Sequence, residues 1–233
     1  IANVSHELRT QLTVVTGFLE TLLDAPPDDV ATRRRHLALM HEQAQRMTHL
    51  VEDLLALSRL ETRASVVPDD VVDVRQLIRD VADEARALSA GRHRIDVDAP
   101  RAFVRGSREE LRSAFANLVS NAVRYTPDGG AITLRWRRDG QDGEGRFEVQ
   151  DTGIGVAAEH LSRLTERFYR VDRSRSRETG GTGLGLAIVK HVLLRHDGWL
   201  DVESDLGQGS TFSAVLPATR VVDDAGHGLQ QAA

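Results

Sequence analysis

Gly180-Gly181-Thr182-Gly183-Leu184-Gly185-Leu186 is the stretch on which the fold turns. The spacing of the residues that follow predicts a helix over 184–195, so the glycines lie where a helix begins. Free backbone N–H groups and the positive end of the helix dipole make such a place receptive to phosphate. Several nucleotide-binding folds carry glycines of this kind, and the neighbours decide among them. No Gly-Lys-Ser/Thr follows, which removes the P-loop. No strand precedes, and an irregular run with Arg173, Arg175 and Arg177 stands there instead, which removes the dinucleotide-binding βαβ unit. A glycine cluster that uses neither device must take its other ligand contacts from elsewhere in the chain.

Three stretches can supply them. In Asn117-Leu118-Val119-Ser120-Asn121-Ala122-Val123-Arg124-Tyr125, on a helix predicted to run from a capping box at Ser107 and Glu110 to Tyr125, the two asparagines share one helical face. Their amide oxygens can ligate a hard Mg²⁺ that also holds phosphate oxygens, and Arg124 on the adjoining face can pair with phosphate. Taken alone, they also read as solvated asparagines. Asp151-Thr152-Gly153-Ile154-Gly155 ends a strand; its carboxylate can accept a hydrogen bond from an adenine amino group, and Gly153 and Gly155 allow close backbone approach. Alone, it is a turn. Glu166-Arg167-Phe168-Tyr169-Arg170 opens the arginine-rich run and can reach a triphosphate, or be a solvated basic loop.

Around these stretches elements alternate. A helix from an N-cap at Asp73 to Ser89 is followed by strands near 94–97 and 102–104, an antiparallel hairpin of 132–137 with 146–150, and closing strands at 199–203 and 211–216. The segment 156–180 is long and irregular. This order implies an α/β sandwich with helices on one face of a mixed sheet. Upstream, a helix to about Leu23 carries Val4, Leu8, Leu12, Val15, Phe18 or Leu19, and Leu22 three or four apart. Pro26-Pro27 break it. A second helix over 31–61 places Leu37, Met40, Ala44, Met47, Val51 and Leu54 as a coiled-coil seam. One helical hairpin cannot bury both stripes, which implies a homodimeric four-helix bundle; the alternative is that the later domain covers the stripe. The expected division is a helical domain over 1–65, an α/β sandwich over 66–218, and a flexible tail over 219–233.

On the first helix, His6 lies two positions from both Val4 and Leu8 and so points away from the apolar stripe, with Glu7 beside it. An exposed imidazole next to a carboxylate is equipped to be a nucleophile or a proton carrier, although a lone histidine of this kind is ordinarily a solvated one. Composition sets bounds. The net charge of −5 gives no global pull toward nucleic acid, and the absence of cysteine excludes disulfides and thiolate metal sites. No apolar run reaches bilayer length. The chain starts at Ile1 inside a helical pattern, so it is expected to be a fragment of a longer protein.

Taken together and in this order, the four downstream stretches resemble the N, G1, F and G2 boxes of sensor histidine kinases, and Ser5-His6-Glu7-Leu8-Arg9-Thr10 resembles that family's H box. The resemblance spans 1 to about 217, and Thr16-Gly17-Phe18-Leu19-Glu20-Thr21-Leu22 is similar to phosphate-regulon sensor kinases in particular. It implies a dimerisation and histidine-phosphotransfer domain joined to a Bergerat-fold ATP-binding domain, using ATP and Mg²⁺. By position, His6 would be the phospho-acceptor, Glu7 the acid that polarises its ring, and Thr10 the residue that positions water for phosphatase activity. Asn117 and Asn121 would hold Mg²⁺–ATP. Arg124, Arg170, Gly181, Thr182, Gly183, Leu184 and Gly185 would lie along the phosphates, Tyr125 beside the nucleotide, and Asp151 at the adenine. The implied partners are a second copy of the chain and a response-regulator receiver domain, with no nucleic acid. The implied setting is the cytoplasmic side of a membrane-anchored sensor. One position departs from the family: Gln11 stands where proline usually follows the H-box threonine. Two rivals remain, an ATP-hydrolysing machine of the gyrase and MutL kind, which shares the boxes, and a non-catalytic dimeric scaffold that binds nucleotide.

Overall fold

In a computed structural model of the chain, the described residues are 2–24, 30–62, 67–138, 143–171 and 181–222. Two long helices, α1 (Ala2–Asp24) and α2 (Val30–Thr62), pack against each other. Among the α1 side chains described, those of 8–23, the half-buried positions are Leu8, Gln11, Val15, Phe18 and Leu22, three or four apart. The Phe18 ring lies 5.1 Å from that of His36 on α2. Leu12, expected on the inward stripe, is 51% exposed; of the two alternatives Phe18 and Leu19, Phe18 faces inward and Leu19 is 45% exposed, and Leu23 is 84% exposed. The helix therefore carries two apolar stripes, and only one faces α2.

On α2 the expected seam is divided: Leu37 is 52% and Val51 44% exposed and Ala44 is exposed, while Met40, Met47 and Leu54 are half-buried. The buried residues are Leu50 and Leu57, one heptad apart. They join the core of the second domain. The later domain thus does cover the C-terminal part of α2, over Leu50 and Leu57 together with Leu54 of the expected seam. The expected boundary falls at residues 63–66, outside those described.

The second domain has two sheets. The larger is ordered β2 (Arg94–Asp98), β4 (Ala131–Arg138), β5 (Gly145–Asp151), β7 (Gly209–Leu216), β6 (Trp199–Asp205), with β2 and β4 parallel and every other pairing antiparallel. Helices α3 (Val74–Ser89), α4 (Arg108–Tyr125) and α6 (Gly185–Arg195) pack on it. Period-2 alternation turns Ile132, Leu134 and Trp136 of β4 and Phe147 and Val149 of β5 into the core. There Phe115 of α4 stacks on Phe147 with centroids 4.1 Å apart. A short helix, α5 (Ala158–Leu161), interrupts the stretch expected to be irregular. The run with Arg173, Arg175 and Arg177 lies outside the described residues.

A small antiparallel sheet, β1 (Val71–Asp73), β3 (Phe103–Arg105) and β8 (Val221–Val222), was not legible as such. It corrects the tail: Ala218–Arg220 form a 3-10 turn, and Val221 and Val222 pair with Val104 and Phe103. Two apolar residues after a polar turn suffice to extend a sheet that already exists. The capping box is also corrected. Ser107 Oγ accepts from Glu110 N (3.3 Å), but the Ser107 N–H donates to His196 Nε2 (3.1 Å), and the Glu110 carboxylate accepts from Arg195 Nε (3.0 Å). The buried ring of His196 takes the place that Glu110 would have filled. Among the described residues, no helix is long and apolar enough to cross a membrane.

Candidate functional site

The four stretches converge where α4 ends and α6 begins. Asn117 Nδ2 donates to Ser113 O in the turn before it (2.9 Å), which directs Oδ1 outward. That oxygen lies 2.5 Å from where a Cβ on Gly185 would sit, so glycine at the first position of α6 is what lets the helix start against Asn117. Asn121, one turn on, is half-buried on the same face. Arg124 Nη1 and the Tyr125 hydroxyl lie 3.4 and 3.6 Å from the equivalent point on Gly181. One face of α4 thus meets the glycine run along its length.

Asp151 ends β5 with only 6% of its surface exposed. Its Oδ1 accepts from Gly153 N (2.8 Å). Burial holds its carboxyl above the usual carboxylate range, partly offset by N–H groups of Gly153 and Ser210. A buried acceptor of this kind gains from a ligand donor such as an exocyclic amine. The turn after it is packed hard: Ile154 N donates to Tyr125 O (3.2 Å), and Gly155, at φ +65°, has no room for a Cβ beside Asp205 O (2.0 Å). Phe168 N donates to Gly183 O (2.9 Å), and both residues adopt positive φ, +63° and +72°. For phenylalanine that conformation is strained, and it is held only because glycine lies opposite. Arg170 is half-buried nearby in sequence.

Thr182 Oγ1 has two roles. It accepts from Leu184 N (3.2 Å) at the start of α6, and it donates to Asp53 Oδ2 of α2 (2.6 Å). Leu184 is fully buried and serves the core. Asp53 did not stand out in the sequence. The available signal was a carboxylate set among Leu50, Leu54 and Leu57, a position on an apolar face that an acid occupies only with a partner. Burial raises its pKa, with Thr182 and then the charges of His49 and Arg124 opposing. A second missed contact is Glu61, near the end of α2, which pairs with Arg167 and with His191 Nε2 (3.4 Å). A third is His160, whose Nδ1 is 2.8 Å from the Tyr169 hydroxyl, with Arg163 stacked 4.2 Å over that ring.

His6 and Glu7 lie on the backbone of α1, and their side chains are outside the described residues. Thr10 is exposed on the same helix. Among the described residues no group of three His, Asp or Glu side chains could hold a metal alone. Asn117 and Asn121 nevertheless fit a hard cation that shares its coordination with phosphate oxygens, because Asn117 Oδ1 is turned toward the helix that opens at Gly185.

Comparison with known proteins agrees with this geometry. Residues 106–220 match the histidine kinase-, DNA gyrase B- and HSP90-like ATPase family, and residues 1–63 match the His Kinase A (phospho-acceptor) domain. The chain belongs to the histidine kinases. It is 54% identical over 225 residues to the phosphate regulon sensor protein PhoR of Pseudomonas aeruginosa, covering 96% of this chain and 50% of that protein. A crystal structure of full-length ShkA in complex with AMPPNP aligns with TM-score 0.67 at 30% identity, over 93% of this chain and 45% of that one. Histidine kinase ThkA, solved in complex with the response regulator protein TrrA, aligns with TM-score 0.73 over 94% of this chain and 60% of that one, and its 20% identity speaks to the fold alone. The chain spans about half the length of the curated relatives it matches. This histidine kinase core therefore pairs a phospho-acceptor region with an ATPase domain, and the ATPase family makes ATP its nucleotide.

Proposed function

We propose that this core phosphorylates itself on His6 with ATP and passes the phosphoryl group to an aspartate of a response-regulator receiver domain. The observation that carries the reading is the convergence of Asn117, Arg124, Thr182 and Gly185 around the start of α6, with Asp151 beside the end of α4 at Tyr125, in a chain whose α1 bears the His6-Glu7 pair. In the reaction an imidazole nitrogen of His6 attacks the γ-phosphorus in line, the bond to the β,γ-bridging oxygen breaks, and ADP leaves. Glu7 takes up or polarises the ring proton. Arg124 and Arg170 offset phosphate charge, Thr182 and the amides of Gly181, Gly183 and Gly185 receive phosphate oxygens, Asp151 reads adenine, and Tyr125 flanks the nucleotide. Mg²⁺, held by Asn117 and Asn121, would supply charge neutralisation between the phosphates. Catalysis is then mostly positioning and electrostatics.

A homodimer is supported by the second apolar stripe, Leu12, Leu19 and Leu23 on α1 with Leu37, Val51 and Leu55 on α2, at heptad-like spacing and exposed in a single chain. With Glu7 and Thr10, the same helix would position water to remove phosphate from the regulator. The relative named PhoR and the ThkA–TrrA complex support a regulator partner, and a membrane-anchored sensor with this core on the cytoplasmic side is the setting that fits. The test is incubation with γ-labelled ATP and Mg²⁺. The expected label is acid-labile and base-stable, and His6→Gln abolishes it while leaving nucleotide affinity intact. Label retained in His6→Gln, or no label on the unaltered chain, overturns the assignment.

A further inference from the structure

Asp53 is a carboxylate set against groups suited to phosphate. It accepts from Thr182 Oγ1 at 2.6 Å, and Arg124 is near enough for its charge to act on it. Arg124 in turn borders Gly181. Asp53 comes from α2, outside the ATPase domain, and is delivered by a docking surface that does not depend on it. Leu50 and Leu57 are buried on either side, and Glu61 pairs with Arg167 and His191 two turns on.

We propose that Asp53 is an autoinhibitory anion: docked on α2, the ATPase domain has its phosphate-binding corner partly satisfied by this chain's own carboxylate, and nucleotide and the Asp53 contact exclude one another. The inference rests on the nucleotide site proposed above. Its physical basis is twofold. A triphosphate and Asp53 compete for the Thr182 hydroxyl and the Arg124 charge, and as like charges at a half-buried, solvent-reached corner they repel each other in a way that salt can screen. Linkage makes the effect reciprocal: whatever affinity Asp53 removes from the nucleotide, bound nucleotide removes from the docked arrangement. Leu50, Leu57 and Glu61 keep the domain within reach of α2 while the polar contact switches, so ATP arrival loosens one corner without full separation. Release of that corner on loading would free α2 for the movement that brings the nucleotide to His6.

Calorimetric titration of the full chain with Mg–AMPPNP tests this. Asp53→Asn keeps an oxygen for Thr182 and removes the charge; it should tighten binding at least about fivefold, the lower bound set by one like charge about 4 Å away in a water-like dielectric. Asp53→Ala should tighten it at least as much. The gap between the unaltered chain and Asp53→Asn should shrink between low and high salt, which a purely structural role of Asp53 would not produce. Affinity unchanged or weakened in both variants overturns the inference. Asp151→Asn separates the two levels: if it weakens binding as expected while the Asp53 variants do nothing, the nucleotide site stands and the autoinhibitory role falls. If the unaltered chain binds no nucleotide, both fall.

Discussion

The α1–α2 hairpin and the α/β sandwich are made from similar proportions of apolar residues and end in opposite states. In the sandwich, alternation along β4 and β5 and the faces of α3, α4 and α6 meet in a closed core, where Phe115, Phe147, Ile132, Leu134, Ile188 and Leu193 are all fully buried, and the large apolar residues left exposed, such as Leu88, Leu194 and Leu206, are scattered. In the hairpin, burial is nearly complete only at Leu50 and Leu57, where the sandwich leans on it, and Leu12, Leu19, Leu23, Leu37 and Leu55 remain at solvent. The lesson is that a sheet covered by helices can be closed by one chain, whereas two helices have two stripes each and only one mutual interface. A second hairpin, as in the proposed homodimer, would cover the stripe left open.

The largest expected break in that contrast is in the sandwich. Phe115→Ala removes a ring stacked at 4.1 Å on Phe147 in a fully buried site, and should cost about 3–5 kcal/mol of sandwich stability. Leu37→Ala, on the open stripe, should leave the sandwich's urea midpoint where it is and raise the dimer dissociation constant instead. Urea unfolding followed by Trp136 fluorescence, with sedimentation equilibrium for the dimer, reads the two effects separately. If Leu37→Ala shifted the sandwich and left association alone, the two regions would not be independent in the way described.

Next in size is the hairpin's own backbone. α1 runs unbroken through Gln11, which is half-buried with its Oε1 unpartnered. Gln11→Pro, which restores the residue usual in the family, removes one helical hydrogen bond and should cost the helical bundle about 3 kcal/mol or more. The bundle should melt lower, the sandwich transition should not move, and any balance between kinase and regulator-dephosphorylating activity should shift, because a bent helix can switch where a straight one cannot. Equal melting and an unmoved activity ratio would count against a role for Gln11.

Much of this was legible in sequence because it depends on local pattern. The N-cap at Asp73 holds by a bond to Gln76 N, α4 ends at Tyr125, and β4 and β5 pair as a hairpin, each following from residues a few positions apart. Asn117, Asp151 and the glycine run could be placed in one site because their types and order repeat a known constellation. What could not be read were contacts between distant elements that reuse a residue for a second purpose. Glu110 looks like half of a capping box and is instead the partner of Arg195, because His196 reaches the Ser107 N–H from 89 positions away. Asp53, which did not stand out in the sequence, meets Thr182 across 129 positions. β8 is two valines whose strand exists only because β3 offers an edge. The second stripe of α1 was hidden for a different reason. Leu12 and Leu19 obey the same helical period as Leu8 and Val15, and period alone does not say which stripe the neighbouring helix takes.

The smallest expected effect returns to His196, a titratable group wholly inside the region that one chain closes. Its ring is fully buried. Nδ1 lies 2.8 Å from Val192 O, to which only a protonated Nδ1 can donate, and Nε2 accepts from the Ser107 N–H, so both nitrogens are satisfied in one neutral tautomer. Burial is the main cause that lowers its pKa below the ordinary value near 6.5; the Val192 carbonyl and Glu110, 4.0 Å away, favour the charged ring, and Arg220 and Arg195 oppose it. Below about pH 6.5 the unfolded chain therefore binds a proton that the folded chain refuses. The stability this histidine supplies is complete above that pH and is lost as pH falls toward the folded value, at no more than about 1.4 kcal/mol per pH unit. Asp53 and Asp151, whose pKa values are raised, have the opposite sign: they take up protons in the folded chain first and so oppose the loss only at lower, carboxylate pH. A window from pH 7.5 to 5.5 isolates the histidines. Urea midpoints should fall across it in the unaltered chain. In His196→Gln the chain should be less stable at pH 7.5, and the slope should be shallower. His191, also lowered by burial but 31% exposed at the α2 contact, adds a smaller slope of the same sign, which His191→Gln removes separately. A flat profile in the unaltered chain, or an undiminished slope in His196→Gln, would mean that the ring accepts its proton in place, with the Ser107 N–H turned to another partner.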